Sequence, residues 1–229
     1  MSILSRFRGS PLRIWGLCVG YALVAGVLGW SGYVGAFALV VGVPLLVLAR
    51  PCLAFVSTLV YYASATREIV PSAIYFDSVY PLPAPAWALW LGGAVVLALP
   101  AAAASGVRLF IVRRCTRFAG WINAGVVLIY VTVMGFEPPI SDVAWATPWQ
   151  AVGALFPGGG VAGFVALAGL WFALALIASE ARAGRFCMQK ITPTGGVGVV
   201  LTGVILGASG WANLTYVEQP ITVQEKADR

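Results

Sequence analysis

The chain consists largely of seven apolar runs separated by short polar gaps, and this alternation restricts the fold more than any other feature. Most runs approach the roughly 20 residues that a helix needs to cross about 30 Å of hydrocarbon. They lie at residues 14–30, 34–49, 52–65, 86–104, 119–136, 161–178 and 197–214. The sequence therefore predicts an all-α protein, a polytopic membrane helix bundle of about seven transmembrane helices.

The runs also predict the domain organisation. The second and third runs are short and are separated only by Arg50 and Pro51, so they predict a tight helical hairpin. The composition is 60% hydrophobic and only 10% charged, which leaves almost nothing for a soluble domain. We expect a seven-helix membrane domain over residues 1–214, with an interfacial loop at 137–160, and a short periplasmic tail at 215–229.

The charged residues in the gaps predict the orientation. Membrane proteins concentrate Lys and Arg in short cytoplasmic loops. With the amino terminus inside, eleven of the fourteen basic residues are cytoplasmic: Arg6, Arg8, Arg13, Arg50, Arg108, Arg113, Arg114, Arg117, Arg182, Arg185 and Lys190. Three others lie outside, with seven of the eight acidic residues. We expect a multi-pass protein of the bacterial inner (cytoplasmic) membrane, with a cytoplasmic amino terminus and a periplasmic carboxyl terminus.

Composition excludes several kinds of site. The chain has no histidine, which removes histidine-ligated metals and haem and every histidine-dependent triad or proton relay. The four cysteines fit no metal-binding spacing, so we expect no metal and no cofactor. The net charge of +6 comes mainly from arginines at helix ends, where anionic lipid headgroups attract them. Membrane lipids, and not nucleic acid, are the expected partners.

Polar residues inside the runs are few. Asn123 and Thr132 in the fifth run can hydrogen-bond to neighbouring helices. No Asp, Glu, Lys or Arg lies at the centre of a run, although ion-coupled transporters and proton pumps usually need one. A small transporter or channel, with these two side chains and glycine-rich helices lining a path, is therefore an alternative and not the first hypothesis.

The first outer loop, residues 66–85, carries charges among aromatic residues. An aromatic belt at the membrane interface accounts for Tyr75, Phe76, Tyr80, Trp87 and Trp90. The alternative is a substrate or lipid rim, with charge offered by Arg67, Glu68 and Asp77. Such a rim would suit a membrane lipid-modifying enzyme with its site at the periplasmic rim.

The second outer loop, residues 137–160, is long enough to hold structure of its own. Ser141 is a suitable helix cap. Trp145 and Trp149, with the apolar residues that follow, predict a short helix lying flat in the interface, and both tryptophans belong to the candidate rim. Pro157 and the three glycines after it are expected to break this helix, since glycine supplies unusual backbone angles.

Two stretches of the chain resemble the conjugal transfer protein TraB family. The stretch from Ile129 to Leu167 reads IYVTVMGFEPPISDVAWATPWQAVGALFPGGGVAGFVAL. It is similar to a family pattern in which PP-I-G-x-x-x-W-A-x-P precedes an A-G-x-L-F-P-G-x-G turn. The stretch from Arg50 to Phe76, RPCLAFVSTLVYYASATREIVPSAIYF, resembles that family's third span and the loop after it.

The family is similar in architecture to apolipoprotein N-acyltransferase, in which seven membrane helices carry a periplasmic nitrilase-like domain with a Glu-Lys-Cys catalytic set. Only residues 215–229 follow Leu214 here, and they contain no cysteine, so we expect no catalytic residue in this chain. The resemblance implies a non-catalytic scaffold or lipid-facing subunit in conjugative plasmid transfer. Its partners would be other conjugation-apparatus proteins or a separately encoded nitrilase-like domain.

Overall fold

The computed structural model describes residues 11–33, 36–77, 84–136, 146–183 and 192–216. All regular secondary structure in these ranges is helical, which confirms the predicted all-α class. The helices are α1 (Pro11–Gly29), α2 (Phe37–Val40), α3 (Pro51–Ala65), α4 (Ile69–Asp77), α5 (Ala86–Arg114), α6 (Ala119–Phe136), α7 (Ala151–Leu155), α8 (Gly160–Arg182) and α9 (Pro193–Thr215), with 3₁₀ helices at Val43–Leu48, Thr116–Phe118 and Pro148–Gln150.

Five of these helices are long and apolar enough to cross a membrane: α1, α5, α6 with the 3₁₀ turn before it, α8 and α9. The other two predicted runs form shorter apolar helices, at Phe37–Leu48 and Pro51–Ala65. The chain thus has the helices of a membrane protein, whereas the number of spans and the orientation stay predictions.

The end of α5 differs from the prediction. We expected the fourth run to end at Ala104 and Arg108 to lie in a cytoplasmic loop, but the helix continues to Arg114. Arg108 is only 7% exposed. A long arginine side chain can bury its stem and carry its charged head to acceptors elsewhere, so a charged residue need not end an apolar helix.

The long helices pack in a series. α1 contacts α3, α3 contacts α5, α5 contacts α6, α6 contacts α8, and α8 contacts α9. The 3₁₀ helix Val43–Leu48 lies among them, because it contacts α1, α3, α5, α6 and α8. Val43, Val47 and Leu48 are almost completely buried. We call residues 37–49 the central segment.

Local sequence explains why the central segment is not a regular helix. Helix α2 ends at Val40, two residues before Gly42, and Pro44 near the start of the 3₁₀ helix has no N–H to continue the α-helical pattern. At the other end Pro51 favours an extended conformation at Arg50, which has ψ of 151°. The predicted hairpin is therefore a broken segment followed by a sharp entry into α3.

The arginines gather at one end of the bundle. The start of α1, the end of the central segment and the ends of α5 and α8 line one cavity there. We call this the arginine-rich end; its described arginines outside the start of α1 are Arg50, Arg108, Arg113, Arg114, Arg117 and Arg182. The opposite end carries Arg67, Glu68 and the segment 146–159, in which Gly158 has a φ of 72°, as expected for the predicted break.

Helices α1 and α3 approach each other closely at Gly26. A Cβ built there would lie 2.7 Å from the Tyr61 carbonyl oxygen and against the Ser64 hydroxyl. Small residues allow such backbone approach between membrane helices, where no hydrophobic force between helices drives association. Gly20 on the same helix has no atom within 4 Å of the same position.

We therefore expect Gly26→Ala to lower the free energy of unfolding by about 1–3 kcal/mol, the usual cost of overpacking. Gly20→Ala is the matched control and is expected to leave stability unchanged or slightly higher, because alanine favours helix. The measurement is thermal unfolding of the full chain in a mild detergent. Equal midpoints for the two variants would contradict the close approach at Gly26.

Candidate functional site

Several backbone carbonyls of the central segment accept hydrogen bonds from side chains on other helices, because the break in the segment leaves them without the partners of a regular helix. The Trp171 indole N–H on α8 donates to the Val41 carbonyl at 2.8 Å. The Tyr21 hydroxyl on α1 donates to the Leu39 carbonyl. Unpaired backbone groups are costly wherever water is excluded, so these donors hold the break in place.

The last two carbonyls of the segment face the arginine-rich end. The Ala49 carbonyl accepts from the Ser105 hydroxyl at 2.6 Å and from Nη2 of Arg108 at 3.0 Å. The Leu48 carbonyl accepts from Nη1 of Arg182. Charged donors make stronger hydrogen bonds than neutral ones. Here Arg108 and Arg182 cap the end of the 3₁₀ helix Val43–Leu48.

Arg108 also begins a chain of hydrogen bonds across three helices. Its Nη1 donates to the Asn123 side-chain oxygen at 3.4 Å. The Asn123 amide then donates to the Ser179 hydroxyl at 2.9 Å, and Ser179 donates to the Ala175 carbonyl at 2.6 Å. Asn123 thus forms the predicted interhelical contact. It joins α5 to α8 through α6.

A cavity of about 400 Å³ opens beside these contacts. We call it the arginine cavity; it is lined by Pro11, Ile14, Trp15, Cys18, Leu48, Ala49, Arg50, Leu53, Arg108 and Arg182. Three arginines and several apolar residues form its walls. In the part of the chain that the structure describes, no acidic residue lines it.

A second, smaller cavity of about 110 Å³ lies at the same end, between α6 and α8. Glu180, which is 7% exposed, lines it together with Arg117 and Asn123. The Glu180 Oε2 atom has no hydrogen-bond partner among the described residues. Glu180 is the one acidic residue that the predicted orientation leaves on the cytoplasmic side with most of the arginines.

At the opposite end, Trp149 lies inside the bundle. Its indole N–H donates to the Val131 carbonyl at 2.7 Å, and its ring meets Trp171 edge to face at 4.7 Å between centroids. The Tyr61 hydroxyl holds the start of this segment by donating to the Ala146 carbonyl at 2.9 Å. Trp149 therefore packs against the core, whereas the prediction had it on an interfacial helix and in the substrate or lipid rim.

Of the other predicted rim residues, the structure describes the side chains of Arg67 and Glu68. Arg67 forms an ion pair with Glu68 at 3.3 Å and donates to the Ser64 carbonyl at 3.1 Å, so it closes the end of α3. Arg67 also reaches the Val27 carbonyl on α1 at 3.4 Å. Trp145 and the side chain of Asp77 lie outside what the structure describes. The predicted grouping of rim charges remains a prediction.

Thr132 does not join the network that holds Asn123. The two residues are nine positions apart on α6, which at about 100° per residue places them on opposite faces. Asn123 is buried, whereas Thr132 is exposed. They do not line a common path through the bundle.

The structure thus adds residues that sequence reasoning did not select, above all Arg108, Arg182 and Trp171. One signal was present for the first of them: residues 105–114 contain no glycine pair or proline that would end α5. Nothing in the sequence pairs Arg182 with a carbonyl 134 positions earlier. Comparisons of the chain with protein-family models, with curated proteins and with solved structures found no match.

We expect Asn123→Leu to lower the free energy of unfolding by about 1–3 kcal/mol, because it takes an acceptor from the buried Arg108 and a donor from Ser179. Thr132→Val is the matched control on the exposed face and is expected to be neutral. Thermal unfolding in detergent, followed by tryptophan fluorescence, measures both. A Thr132→Val loss as large as that of Asn123→Leu would contradict the assigned network.

Proposed function

We propose that this chain is a non-catalytic, multi-pass scaffold of the bacterial inner membrane that holds partner proteins in place. The proposal rests on the hydrogen bonds that polar groups form in the interior of the bundle. Four carbonyls of the central segment, those of Leu39, Val41, Leu48 and Ala49, accept from side chains on α1, α5 and α8. Carbonyls that are already hydrogen-bonded suit a structural role better than an ion pathway, because an ion pathway needs free carbonyls to coordinate the ion.

The outer surface supports the membrane setting. α9 buries only 11% of its most apolar stretch in the bundle, and Val200, Val204 and Leu214 are largely exposed. Apolar faces of this size are expected to contact lipid or a partner in the membrane. The resemblance to the TraB family suggests the setting: a conjugative plasmid-transfer apparatus, with its other proteins or a separately encoded nitrilase-like domain as partners.

We place the arginine-rich end in the cytoplasm, since basic residues favour that side. Two single-cysteine proteins test this orientation. One keeps only Cys115, which is exposed at the arginine-rich end. The other carries Glu68→Cys, at an exposed position of the opposite end, with the native cysteines replaced by serine.

In spheroplasts, a membrane-impermeant maleimide is expected to label the Glu68→Cys protein at once. The protein that keeps Cys115 is expected to react only after the membrane is permeabilised. The reverse order of labelling would overturn the orientation and would leave the membrane location untouched.

The scaffold role is tested by deleting the gene in its plasmid-bearing host and measuring plasmid transfer to a recipient. We expect transfer to fall, and to recover when the intact chain is supplied. The Gly20→Ala protein should restore transfer as fully, whereas Gly26→Ala should restore it in proportion to the amount of folded protein. Unchanged transfer after deletion would reject the conjugative role.

A further inference from the structure

Three arginines line the arginine cavity, and none of them forms an ion pair within 4.0 Å with a carboxylate of the described residues. Arg50, Arg108 and Arg182 all line it. Among the described residues the one ion pair within 4.0 Å is Arg67 with Glu68, at the opposite end of the bundle. Glu180 lines the separate smaller cavity. The carbonyls that accept from Arg108 and Arg182 are neutral, so the charge itself remains.

Burial makes this imbalance costly. Arg108 is 7% exposed, and its Nε–H has no partner in the described part of the chain. A buried charge is strongly disfavoured unless an opposite charge and hydrogen bonds accompany it. An anion that entered the cavity would offset part of the positive charge of the arginines that line it.

The shape and walls of the cavity indicate what kind of anion fits. Its volume of about 400 Å³ lies within the range of small-molecule sites. Ile14, Trp15 and Leu53 give it an apolar side. Guanidinium groups match phosphate oxygens in geometry and bind them through paired hydrogen bonds. A phosphate with an apolar portion attached therefore complements both parts of the wall.

We propose that the arginine cavity binds the phosphate group of an anionic amphiphile. A glycerophospholipid is the source that the apolar side and the position at the ends of apolar helices favour, since basic pockets between membrane helices bind anionic headgroups. A free phosphate monoester offers the same chemistry without the acyl chains. The site is independent of any role in conjugation.

Arg50 provides the cleanest test, because Arg108 and Arg182 also hold the central segment. Arg50 is exposed and makes no side-chain hydrogen bond or ion pair to the described residues. Arg50→Gln removes one charge from the cavity. Arg113→Gln removes one charge from an exposed arginine of the same end that does not line it. Equal thermal unfolding midpoints for both variants and the wild type would show that each is folded.

The full-length chain is titrated in detergent with dioleoylphosphatidylglycerol, and native mass spectrometry gives the fraction that retains one lipid. Dioleoylglycerol, which lacks the phosphate, is the reference lipid. We expect tighter binding of the phosphatidylglycerol, about tenfold weaker binding after Arg50→Gln, and a change of about twofold or less after Arg113→Gln. Equal losses in the two variants, or equal retention of both lipids, would overturn the proposal.

Competition by sn-glycerol 3-phosphate then distinguishes the source of the phosphate. Failure to displace the lipid assigns the site to a membrane lipid. Displacement that Arg50→Gln weakens assigns it to phosphate esters in general. Displacement that is the same for the wild type and Arg50→Gln would place the competing phosphate elsewhere and would count against the cavity.

Discussion

The bundle depends on one requirement: a short, irregular stretch of backbone lies at its centre, and its carbonyls need hydrogen-bond donors. A regular helix forms hydrogen bonds between its own backbone groups. In the central segment one short helix ends and another begins within about a dozen residues, so this pattern is interrupted. Trp171, Ser105, Arg108 and Arg182 supply the donors. Helices α5 and α8, which carry these side chains, must therefore lie against the segment, and α1, α3 and α6 contact it as well.

This requirement explains why Arg108 is buried at the arginine-rich end. In most membrane proteins such residues carry their heads to the interface, where lipid phosphates and water receive them. Here Arg108 donates to the backbone oxygen of Ala49, and Arg182, although it is an exposed residue, donates to that of Leu48. The same two side chains close the end of the segment and define one wall of the arginine cavity.

The sequence predicted the parts of this fold that depend on local pattern. The apolar runs located the helices, and Pro51 together with the glycines after Pro157 located two of the breaks. Most contacts of the candidate site could not be predicted from the sequence. Asn123 was identified because a buried amide needs partners wherever it lies. Arg108 was assigned to a loop because charge usually marks a helix end, and Trp149 to an interface because tryptophan is common there. In the structure Arg108 donates to the Ala49 carbonyl and Trp149 to the Val131 carbonyl. Sequence spacing does not reveal that such an acceptor lies nearby.

The position of the central segment also affects the order in which the protein can be built. Residues 37–49 are synthesised early. Trp171 and Arg182, which donate to carbonyls of this segment, are synthesised only after more than half of the chain has been made. Until then the segment has carbonyls that lipid cannot satisfy and is too short to cross the bilayer as a regular helix. The donors on α8 become available to the segment only after that helix has been made. Its final placement is a late event in biogenesis, completed by the helices that follow it.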